Sequence, residues 1–77
     1  MKEYCSDVVI HIDENLNDDD IHKLEHDIFD MHGVFSACVN EKARHLMLVD
    51  FDPMDISPGQ LLANVRGHGL HAELIGL

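Results

Sequence analysis

Seven histidines stand at positions 11, 22, 26, 32, 45, 68 and 71 of a 77-residue chain. Imidazole ligates transition metals and changes charge near neutral pH, so their spacing sets the first chemical question. His22 and His26 lie four residues apart. On a helix that spacing places two side chains on one face, where they can chelate Zn²⁺, Ni²⁺ or Cu²⁺. Asp18, one turn earlier, would complete a three-ligand site. The plainer alternative is a solvated polar face on which the histidines pair with carboxylates such as Glu25. His11 and His71 form the second candidate, with Asp13 and Glu73 two residues along. Doubled across a dimer axis, that group could take a metal or respond to pH near about 6; otherwise these are half-exposed strand residues. His32, His45 and His68 fall at turns or helix ends, where His32 and His68 complement helix dipoles.

The composition narrows the functional classes. Fifteen acidic residues against five basic ones give a formal charge of −10. Nucleic acid and anionic membrane both demand a basic face, so neither is an expected partner. A basic protein partner or a metal ion is compatible with this balance. Apolar residues make up 45% of the chain, sufficient for one core and hence for one domain spanning residues 1–77. Cys5 and Cys38 are too few for a disulfide framework and lack a positioned base, so both are expected as reduced spectator thiols. The N-terminus carries no leader-like apolar run, and no stretch is long enough to insert in a membrane, so the expected location is cytoplasmic. There is no nucleophile elbow, phosphate loop or paired zinc-ligand motif, and an enzyme is not expected.

The elements that must position these residues follow from periodicity. Residues 8–13 are rich in β-branched side chains and read as a strand. Asn17 is an N-cap with Asp20 at the third helical position, Leu16 and Ile21 can form a hydrophobic staple, and three aspartates complement the helix dipole. Ile21, Leu24, Ile28 and Met31 recur at spacings of three and four, and Gly33 stops the helix. Residues 34–40 and 46–51 read as two strands around a turn. Ser57, Pro58 and Gln60 open a second helix, with Leu61, Leu62 and Val65 on its apolar face. Residues 70–75 form the last strand.

The order βαββαβ predicts an α+β, ferredoxin-like sandwich: a four-stranded antiparallel sheet with two helices on one face and strand order 4-1-3-2. Alternation then sends Val8, Ile10, Ile12, Ala37, Val39, Met47, Val49, Phe51, Ala72 and Leu74 toward the helices. The opposite face receives Val9, His11, Asp13, Ser36, Cys38, Leu46, Leu48, Asp50, His71, Glu73 and Ile75. Strand order would make His11 and His71 neighbours. Val9, Leu46, Leu48 and Ile75 are the expected interface residues of a face that a homodimer or another partner covers.

Several of these features occur together in a known pattern. Ile21, Leu24 and Ile28 precede Gly33-Val34; Ala37 and Val39 follow; an alternating strand runs through Met47-Leu48-Val49-Asp50 into Phe51-Asp52-Pro53; and Gly69-Leu70 stands where an aromatic usually follows glycine. Over residues 8–75 this resembles a heavy-metal-associated domain, the fold of small copper chaperones and of the N-terminal modules of metal-pumping ATPases. The resemblance implies a Cys-x-x-Cys pair that would fall at Asn17 and Asp20. Those positions hold an amide and a carboxylate, which cannot replace thiolates for soft Cu(I). The residues at 17–20 could still offer oxygen ligands to a hard cation, but a helix N-terminus is a poor place for one. The expectation is a heavy-metal-associated-like module with a degenerate motif, acting in protein interaction or in handling a divalent metal (Zn, Ni or Cu) through His, Asp and Glu. The alternative is a small-ligand regulatory domain of the ACT kind, which shares the element order, although its glycine-bearing first turn is replaced here by Glu14-Asn15-Leu16-Asn17.

Overall fold

The computed structural model describes residues 5–76; the N-terminal stretch scanned for a leader falls mainly in residues 1–4, outside the described part. The elements are β1 (Ser6–Ile12), α1 (Asp18–Phe29), β2 (Val34–Val39), β3 (Leu46–Phe51), α2 (Pro58–Gly67) and β4 (Ala72–Gly76). The strands form one antiparallel sheet in the order β2-β3-β1-β4, so the ferredoxin-like sandwich and its strand order are as expected.

Both helices start where their capping residues dictate. The Asn17 side chain accepts the Asp20 N–H at 2.8 Å, and three aspartates occupy the first turn of α1. Ser57 and Gln60 form a reciprocal capping box with Pro58 in the first turn of α2, satisfying backbone groups that a helix end otherwise leaves unpaired. Ile21, Leu24 and Ile28 of α1 and Leu61 and Val65 of α2 are buried, α1 packing beside β2 and α2 beside β4.

The core lies between these helices and one face of the sheet. Val8, Ile10, Ile12, Met47, Val49 and Phe51 of the two central strands are essentially inaccessible to solvent. Each such side chain stabilises the fold by roughly 1.5–3 kcal/mol relative to an exposed one. Two details depart from the strand reading. Leu74 faces the helices opposite Ile10 but is 37% exposed, because β4 is an edge strand. Ile75 is the extra residue of a bulge: Ile10 pairs with Leu74 whereas Val9 pairs with Gly76. Ile56, in the connection to α2, joins the core although strand and helix periodicity do not mark it. Leu70 and His71 precede the last strand. No helix among the described residues is long and apolar enough to cross a membrane.

Gly33 and Gly69 adopt positive φ, at +92° and +81°. A side chain at Gly33 would put its Cβ 2.8 Å from Asp55 Cβ, whereas the space around Gly69 is open. Gly69→Ala is therefore expected to lose about 1–2 kcal/mol from backbone strain alone, and Gly33→Ala measurably more. Urea unfolding of the two variants reads the difference; equal losses would mean that Asp55 and Ile56 do not crowd this turn.

Candidate functional site

Three connections converge where β1 ends, and their contacts assemble a polar cluster. The β1–α1 connection supplies Asp13, Glu14 and Asn17, the β2–β3 turn supplies Arg44 and His45, and the α2–β4 connection supplies His71. Glu14 clasps His71 with both carboxylate oxygens: one accepts the backbone N–H at 2.8 Å and the other the ring Nδ1–H at 2.7 Å. His45 Nδ1 lies 2.6 Å from the Ile12 carbonyl oxygen. A carbonyl only accepts, so Nδ1 carries the proton. The His45 ring stacks on His11 with centroids 5.8 Å apart and planes 18° from parallel. Asp13 Oδ1 comes within 3.1 Å of His11 Nδ1, close enough for charge attraction but without hydrogen-bond alignment, leaving that buried nitrogen unpaired.

The expected His11–His71 pair is not what the ladder builds. His11 stands opposite Glu73 on one side and Leu46 on the other, while Asp13 donates its N–H to the His71 carbonyl at 2.8 Å. His71 is two residues before Glu73 and just outside the ladder, where Glu14 holds it.

On α1 the three expected ligands each have a separate partner. Asp18 forms an ion pair with Arg44 across to the β2–β3 turn. His22 Nδ1 lies 3.6 Å from Glu25 and His26 Nδ1 3.4 Å from Asp30. The second Glu25 oxygen accepts the Val39 N–H at 2.8 Å, so this side chain ties α1 to the outer edge of β2. Among the described residues no group of three or more His, Cys, Asp or Glu side chains is arranged to hold a metal ion. Asn17 and Asp20 are joined by the helix cap. Cys5 and Cys38 are free and exposed.

The open face of the sheet has a cluster that sequence reading did not assemble. Asp7 stands opposite Asp50 across β1 and β3, and Ser36 stands opposite Asp50 from β2. Ser36 Oγ donates to Asp50 Oδ2 at 2.7 Å. The Asp7 carboxyl is raised by its hydrogen bond and repulsion with Asp50, and Asp50 is lowered by the hydrogen bonds it accepts from Asp7 and Ser36. The two carboxyls are coupled and titrate as a pair. Asp7 escaped notice because β1 begins at Ser6, two residues before the β-branched run. Of the expected interface residues, Leu48 and Ile75 are exposed while Val9 and Leu46 are half-buried.

No family model matches the sequence, and no curated protein matches it. Solved structures do match the fold. A copper-binding domain from a P-type ATPase superposes with a TM-score of 0.82 at 18% identity, covering 91% of this chain and 93% of that one. The N-terminal domain of a potential copper-translocating P-type ATPase from Bacillus subtilis, in its Cu(I)-loaded state, gives 0.83 at 22% identity over 94% of this chain and 89% of that one. Oxidized MerP from Ralstonia metallidurans gives 0.79 at 16% identity over 91% and 96%. The chain therefore has the fold anticipated from the resemblance, that of heavy-metal-associated domains.

The Glu14–His71 clasp makes a pH-dependent contribution to stability. The hydrogen bond and charge of Glu14 raise His71 above its usual 6.5, and the His71 ring and N–H lower Glu14 below its usual 4.5. A raised imidazole stabilises fully below its unfolded value and loses that effect as pH rises through the folded one. A lowered carboxylate stabilises above its unfolded value and loses the effect as pH falls through the folded one. Both contributions coincide between 4.5 and 6.5. The melting temperature of the wild type minus that of Glu14→Gln is expected to be largest near about pH 5.5 and to shrink by about pH 8.5. A difference that stays flat with pH would mean that the ring contact adds nothing.

Proposed function

We propose that this chain is a non-catalytic accessory module of metal handling that keeps the fold of copper-binding domains, lacks their thiolate chemistry, and works by contact with another protein. One observation carries the reading. At the N-terminus of α1, where the resemblance places a cysteine pair, Asn17 Oδ1 is engaged by the Asp20 N–H. An amide oxygen committed to a backbone donor and a carboxylate are hard groups, whereas Cu(I) binds soft thiolates. The fold likeness to metal-binding domains supports the setting, and the cap supports the loss of copper capture.

Any residual metal chemistry belongs to the imidazoles. His22 and His26, on the exposed side of α1, are the pair through which a divalent ion such as Zn²⁺ would be held, with Asp18 joining only if it releases Arg44. That makes such binding weaker than a preformed three-ligand site.

Native mass spectrometry tests the reading. In a Cys5→Ser/Cys38→Ser background, which removes the two exposed thiols, no Cu(I) should remain bound in the presence of a competing small thiol. Adding Asn17→Cys and Asp20→Cys to that background should restore one Cu(I) per chain. Tight Cu(I) uptake without the added cysteines would sink the proposal. With Zn²⁺, Ni²⁺ or Cu²⁺, one-to-one binding that disappears in His22→Ala/His26→Ala would add a divalent role at the helix face.

A further inference from the structure

None of the four strands contains a lysine or arginine. The charged side chains on the open face of the sheet are therefore carboxylates, apart from what His11 contributes. At its centre Leu48 is 45% exposed, flanked by Val9 on β1 and Cys38 on β2. Toward one end of this apolar strip stand Asp7 and Asp50, directly opposite each other; toward the other stands Glu73. Like charges directly opposite on neighbouring strands destabilise a sheet. Among the described residues Ser36 Oγ donates to Asp50, and no cationic side chain on the strands answers the repulsion.

Charge decides what can cover such a surface. A second copy laid face to face would bring a second set of the same carboxylates against the first, in a chain already at −10. A segment carrying lysine or arginine beside aliphatic side chains would relieve the repulsion and cover Leu48 in one step. We propose that the open face is a docking surface for a cationic, amphipathic protein segment, whose aliphatic side chain seats on Leu48 and whose basic group reaches the Asp7–Asp50 pair. This rests on the protein-contact half of the function proposed above. The copper measurement is independent of it, so the two can fail separately.

The test uses the full chain labelled with ¹⁵N and a short synthetic peptide alternating lysine with leucine. Two control peptides replace lysine by glutamate or leucine by glycine. The lysine–leucine peptide is expected to shift the amides of Val9, Leu48 and Asp50 and to bind more weakly as salt rises. Leu48→Glu and Asp7→Asn/Asp50→Asn should each weaken binding about tenfold, the equivalent of one lost contact of about 1.4 kcal/mol. The aspartate variant should melt no lower than the wild type, because it removes a like-charge pair while leaving Ser36 an acceptor. That combination of weaker binding with retained stability separates a docking role from a structural one. Shifts centred on Asp18, Asp19 and Asp20, equal binding of the lysine–glycine peptide, or no binding at all would each overturn the proposal. So would a free-chain dimer in sedimentation that Leu48→Glu dissociates, since a second copy would then be the occupant.

Discussion

A sheet with both helices on one side can bury only one of its faces. In so small a protein that constraint governs everything else. The inward residues of β1 and β3 make the core with Ile21, Leu24, Ile28, Leu61 and Val65, and among the described residues the outward ones join no second core. A chain this short buries only about 60% of what it exposes when unfolded, so its inward face has to be fully apolar. The strands meet that demand, and no polar or charged residue is buried among the described residues. The outward face is left free to be chemically distinctive, and it combines aliphatic side chains with carboxylates.

The histidines become intelligible against the acidic background. Six of the seven have a carboxylate within 3.6 Å: Asp13, Glu25, Asp30, Asp55, Asp27 and Glu14 stand beside His11, His22, His26, His32, His68 and His71. His45 turns to a backbone carbonyl. Most of these pairs are exposed, and such pairs contribute at most about 1 kcal/mol each. Their significance is distributive: apart from the stacked His11 and His45, each imidazole turns to its own carboxylate, and among the described residues no group of three or more metal-ligating side chains converges. The Glu14–His71 pair differs because the carboxylate takes both the ring and the backbone N–H of the same residue, which fastens two connections together.

The same economy appears at the start of α1. In a helix, the first turn exposes unpaired N–H groups that favour an oxygen acceptor. Asn17 supplies one, and the adjoining aspartates complement the dipole. Residues so well matched to capping leave that end electrically suited to carboxylate and amide. Glu25, two turns further on, performs the corresponding service for β2 by accepting an N–H from its outer edge, which blunts an edge that could otherwise pair with another chain.

Much of this was legible in the sequence because it depends on neighbours along the chain. The helix caps at Asn17 and Ser57, the i, i+3, i+4 stripe of α1, the alternation of the central strands and the absence of a cysteine pair are all local patterns, and the element order then allows few topologies. What only the tertiary structure decided depends on register and on reach between elements. The bulge opposite Val9 and Ile10 shifted Ile75, the edge position of β4 exposed Leu74, and the β1–β4 register set Glu73 opposite His11 and left His71 to Glu14. The facing of Asp7 and Asp50 likewise required the β1–β3 register, as the pairing of Asp18 with Arg44 required the β2–β3 turn to lie beside the start of α1. Periodicity assigns a residue to a face, but the side chain it meets there is set by pairing between segments far apart in sequence.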